Sequence, residues 1–94
     1  MKEYELTILT PVGQDKLPIE LEIYKHAKIK RSSVEVEHNK HLPYRIRMYE
    51  FADYWYMDVK MEETQAVALS NELNTRDDVL RYLLVTKAQR PNNN

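Results

Sequence analysis

The chain has no cysteine and a single glycine among its 94 residues. Lack of cysteine removes disulfides, thiolate metal ligands and thiol catalysis together, and it fits a reducing interior. With Gly13 alone, a glycine-rich loop that cradles phosphate is excluded. No apolar run approaches the roughly 20 residues of a membrane span, and no secretory apolar segment follows Met1. The composition therefore argues against a membrane partner, a nucleotide loop and a thiol enzyme.

Hydrophobic residues make up 43% of the chain and charged residues 31%, the balance of a folded domain rather than a disordered one. The length suits one modest core. The expected organisation is a single domain over residues 1–88 and a polar tail over 89–94. The formal net charge is −1, but it is unevenly spread. Between Tyr24 and Tyr49 stand Lys25, Lys28, Lys30, Arg31, Lys40, Arg45 and Arg47 against only Glu35 and Glu37. A basic region on a near-neutral protein is either a local footprint for an anionic partner or an ordinary solvated surface.

Periodicity divides the chain into six elements. In Lys2–Thr10, Tyr4, Leu6 and Ile8 alternate with Glu3, Glu5 and Thr7, the period of a strand with one face inward. Residues 15 to 31 support two readings. Leu17, Ile19, Leu21 and Ile23 alternate strictly, yet Leu17, Leu21, Tyr24 and Lys28 form a helical stripe, with Asp15 as cap and Pro18 in the first turn. Helix is the preferred reading. Val34–Met48 reads as a long strand, and Pro43 places it at a sheet edge because proline cannot donate to a ladder. A turn is expected over 50–53, then a strand over 54–61 with Trp55, Met57, Val59 and Met61 inward. Thr64 is expected to cap a second helix with Ala66, Leu69, Ser70 and Leu73 as its buried stripe. The final strand, 79–87, is apolar on both faces. The order is β-α-β-β-α-β, the ferredoxin-like α+β arrangement of a four-stranded antiparallel sheet with two helices on one face.

His38 and His41 form His-x-x-His, but on a strand this spacing puts them on opposite faces and no cysteine joins them, so no metal site is read. Asp77-Asp78 and Glu62-Glu63 fit turn and helix-start chemistry better than an acid–base pair. No enzyme activity, cofactor or small-molecule substrate is expected.

Four segments resemble the bacterial small-subunit ribosomal protein six family: "MKEYELTILT", "KHLPYRI" (residues 40 to 46), "YWYMDVKME" and, most specifically, "NELNTRDDVLRYLLVTK". The chain departs from the family where Asn39 replaces a common glycine, Arg45 replaces proline, and Glu62-Glu63 replaces Pro-Glu. Its first helix region is also short. The resemblance implies an assembly protein of the small ribosomal subunit that binds ribosomal RNA and pairs with ribosomal protein eighteen. It implies a place on a cytoplasmic ribosome, with an organellar ribosome also open. A protein-interaction module, or a redesigned ferredoxin-like scaffold without RNA binding, is the alternative.

An RNA surface needs cations for phosphates and flat groups for bases. On the strand parities, His41, Arg45, Arg47, Tyr54, Tyr56 and Lys60 share the sheet's open side. Lys40 joins them as a phosphate contact, with Lys87 and Arg90 flanking. The opposite reading is a shielded sheet with solvated arginines. Leu83 and Val85, the second apolar face of the last strand, are the candidate protein-partner residues.

Overall fold

The computed structural model describes residues 1–87. β1 (Lys2–Thr10) buries Tyr4, Leu6 and Ile8, as its alternation requires. It is followed by α1 (Leu17–Tyr24), β2 (Lys28–Ile46), β3 (Tyr49–Met61), α2 (Glu63–Thr75) and β4 (Arg81–Thr86). The four strands form one sheet in the order β2-β3-β1-β4 with every neighbouring pair antiparallel, the expected ferredoxin-like arrangement. β2 lies at an edge, where Pro43 is tolerated.

Asp15 accepts the N–H of Leu17 at 3.1 Å, which starts α1, and Pro18 lies in its first turn. The helix buries Ile19 and Ile23, four residues apart, and not the expected stripe. Leu17, Leu21 and Tyr24 are exposed, and Lys28 already begins β2. An eight-residue helix cannot carry a stripe from 17 to 28. α2 buries Ala66, Leu69 and Leu73 as expected, with Ser70 half-buried. Its N-cap position is Glu62, so Thr64 sits inside the first turn rather than capping it.

The turn between β2 and β3 falls at Arg47 and Met48, not over 50–53, and Glu50–Asp53 belong to β3. Arg47 adopts φ +56° there. Three irregularities interrupt the β2–β3 register, so the uniform parity expected over 34–48 does not hold: Leu42 is buried while Tyr44 and Met48 are among the most exposed residues.

The main core lies between the helices and one sheet face. There Trp55, Met57, Val59 and Met61 of β3 meet Ile19, Ile23, Leu69 and Leu73, with Leu84 partly buried against them. A smaller core gathers Leu9, Leu42, Ala52 and Leu80, with Ile46 and Tyr54 packed on it. Leu9 and Tyr54 point away from Ile8 and Trp55, so this second core covers one end of the other face.

Candidate nucleic-acid interface

Register lines up the helix-free face in rows across β2, β3, β1 and β4. The first row is Lys28, Lys60, Glu3 and Lys87, the last joined by its N–H to the Glu3 carbonyl at 2.9 Å. Lys30, Asp58, Glu5 and Val85 make the second. Glu35, Tyr56, Thr7 and Leu83 follow, then Glu37, Tyr54, Leu9 and Arg81. The face thus grades from charged, through aromatic, to the small apolar core.

Lys40, Tyr54 and Tyr56 come together at the aromatic end. The two tyrosine rings lie 6.1 Å apart and tilted, and the Lys40 ammonium sits 4.7 Å from the Tyr54 ring centre. Glu37 ties the group: its carboxylate accepts from Lys40 at 2.8 Å and from the Tyr56 hydroxyl at 2.9 Å. The Lys40 hydrogen bond, then that of Tyr56, holds the Glu37 carboxyl below its ordinary value. Burial, and then the Glu37 hydrogen bond, push the Tyr56 phenol up. Lys60 lies 3.6 Å from Glu3, and Lys87 bonds Asp58 at 2.8 Å. Leu83 and Val85 are both exposed on β4, the other edge strand.

The remaining expected residues stand elsewhere. His41 is in register with Phe51, on the opposite side from Lys40 and Ala52, and packs edge-on to the Phe51 ring at 5.1 Å. Arg45 bonds Glu50 at 3.0 Å near the hairpin end. Arg47, in the turn, donates to the carbonyls of Asp77 and Val79 at 3.2 and 3.4 Å and so clasps the α2–β4 connection. The expected common surface therefore does not include His41 or Arg47, because the bulges and the turn redirect the end of β2. Arg90 lies outside the described residues.

Asp53 organises this end of the sheet, and hydropathy did not single it out. Its side chain is 1% exposed. It accepts the N–H of Asn39 at 2.9 Å, the N–H of Gly13 at 3.1 Å and the Lys16 ammonium at 3.1 Å. Burial alone raises a carboxyl. Here the Asn39 and Gly13 N–H groups and Lys16 outweigh it and hold Asp53 at about 2. Asn39 adopts φ +54°, a left-handed conformation that asparagine accepts better than other side-chain-bearing residues. A glycine would sit there freely. The signal for Asp53 was a charged residue between two apolar runs.

The sequence profile of the Ribosomal protein S6 family matches residues 3–86. The chain belongs to that family. It is accordingly a small-subunit ribosomal protein, a structural component of the particle. Comparison with curated proteins gives no match. Among solved structures, the 30S ribosomal protein S6 of Thermotoga maritima is similar with a TM-score of 0.74 at 16% identity, over 92% of this chain and 87% of that one. The two share a fold at an identity too low to carry individual contacts across.

Proposed function

We propose that this S6-family chain is an assembly protein of the small subunit that binds ribosomal RNA on its helix-free face and pairs with ribosomal protein eighteen. The observation that carries the reading is the Lys40–Tyr54–Tyr56 group on the side of the sheet that no helix covers. Tyrosine rings stack on unpaired bases whatever their identity, and a neighbouring ammonium takes the phosphate between them. Lys60 and Lys87 flank the group along the same face. Arg45 and Arg90 are peripheral contacts, and His41 and Arg47 serve the hairpin. Leu83 and Val85 offer the partner protein an apolar strip on an edge strand, suited to burial or strand addition. The place of work is the cytoplasmic ribosome, and the role is positional, without chemistry on a substrate.

The test is titration of a small-subunit central-domain RNA with the purified chain, alone and mixed with ribosomal protein eighteen. A near-neutral protein attracts RNA weakly at long range, so binding is expected to strengthen when the partner is present. Replacing Tyr54 and Tyr56 by Leu is expected to weaken it by about 1–3 kcal/mol for each stacked base, with the fold retained. Unchanged affinity in that double variant removes the aromatic group from the interface. Absence of a heterodimer at tens of micromolar, where binding of about −6 to −7 kcal/mol is detected, removes the partner.

A further inference from the structure

The charged end of the helix-free face holds an arrangement that the aromatic group does not explain. Lys28 and Lys60 are directly opposite each other across β2 and β3. Like charges in that relation destabilise a sheet, with Cβ atoms about 5 Å apart. Lys30 follows two residues along β2 on the same side, about 6.7 Å further on. These three lysines, with Glu3 and Asp58, line a cavity of about 330 Å³.

The two carboxylates do not neutralise it. Glu3 is engaged by Lys60 at 3.6 Å and Asp58 by Lys87 at 2.8 Å. Glu5 lies one strand further away, in line with Asp58. Lys28 and Lys30 form no ion pair among the described residues, whereas Lys40, Arg45, Lys60 and Lys87 each have a carboxylate within 4 Å. Arg81, on β4 at the hairpin end of the same face, likewise forms no ion pair among the described residues but stands alone, whereas Lys28 and Lys30 put two unpaired positive charges side by side at the start of β2.

We infer that Lys28 and Lys30, with Lys60 beside them, form a phosphate site that takes the sugar–phosphate backbone of the bound RNA. This rests on the RNA-binding reading above and sets the strand's path along β2, from the Tyr54–Tyr56 platform toward residue 28. A phosphate between Lys28 and Lys60 turns their repulsion into shared attraction. Lysine suits this role as a mobile point charge able to follow a backbone without fixing its sequence.

The experiment compares the full chain with Lys28→Gln/Lys30→Gln in two arms. In the first, the same central-domain RNA is titrated across a salt series. The log–log slope of the variant is expected to flatten by about 0.7–0.9 per lysine, about 1.4–1.8 in all, with weaker binding. Its thermal midpoint is expected to equal or exceed that of the unmodified chain, because a like-charge pair has gone; a residue with only a structural role would lower it. Binding by the unmodified chain with an unchanged slope and affinity in the variant overturns the site and leaves the RNA reading standing. No binding by the unmodified chain overturns the RNA reading, and with it the assignment to RNA. In the second arm, inorganic phosphate is titrated while the NMR signals of Lys28, Lys30 and Lys60 are followed. Saturable shifts lost in the variant support the site. Saturation by phosphate without any change in the RNA slope assigns it to a free anion and overturns the RNA assignment, and no saturable shift overturns the anion site itself.

Discussion

Asp53 brings a negative charge into the interior, and the Lys16 ammonium together with two backbone N–H donors makes that tolerable. The donors come from the β1–α1 loop, the start of α1 and the bend in β2, so one carboxylate sets three segments against β3. The carboxyl is held at about 2 against an ordinary 3.8, which corresponds to about 2 kcal/mol of stability. Its folded value is the lower one. The contribution is therefore complete above about pH 4 and is lost as the pH falls toward 2. Asp53→Asn is expected to lower stability at neutral pH by at least about 2 kcal/mol, because it leaves Lys16 partly buried without its partner. Urea denaturation of both proteins between pH 7 and pH 2 checks this: the gap should narrow in acid. A gap independent of pH would assign the cost to packing instead.

Elements differ in how plainly they show in the sequence, and the reason is continuity of the backbone. β1 and the second half of β3 run through unbroken registers, so each alternation read in the sequence is the alternation found. α2 carries one unambiguous stripe over thirteen residues. α1 is short enough that Leu17, Ile19, Leu21 and Ile23 satisfy both periods, and only tertiary packing chooses Ile19 and Ile23. β2 is legible as a long edge strand from Val34 onward, but it begins at Lys28, inside the stretch over 15–31 for which helix is the preferred reading. Its side-chain directions are not legible, since each bulge exchanges the faces and nothing in hydropathy marks one. The shift between Glu37 and Lys40 brings Lys40, whose parity alone points inward, beside Tyr54, and it turns His41 away from the open side where parity puts it. Asn39 pins the bend, so its backbone preference should be measurable. Asn39→Gly is expected to be neutral or slightly stabilising, and Asn39→Ala to cost about 1 kcal/mol. Thermal unfolding of the two variants decides it, and equal midpoints would mean that the left-handed conformation carries no strain.

The molecule as a whole divides its work between the two sides of one sheet. One side holds nearly all of the core; the other carries charge, tyrosine and exposed leucine and valine. This division was legible from the order of elements, because a β-α-β-β-α-β chain puts both helices on the same side. The strand order carries one more implication, in time rather than in space. β1 lies inside the sheet between β3 and β4, and Leu6 is in register with Met57 on one side and Leu84 on the other. The first strand thus takes one neighbour from the middle of the chain, residues 53–61, and the other from residues 81–86. As the polypeptide is made, β1 must wait with one edge unpaired until β4 follows β3 and α2 out, since synthesis runs at only about 5–20 residues per second. The loop closed by the β1–β4 pairing also makes folding slower than in a helical protein of this size. A chain stopped after Asp78 is expected to show no cooperative unfolding transition by circular dichroism, and a sharp one would mean that β1 and β3 suffice. Both neighbours of the first strand are therefore made well after it, and the second of them closes the sheet.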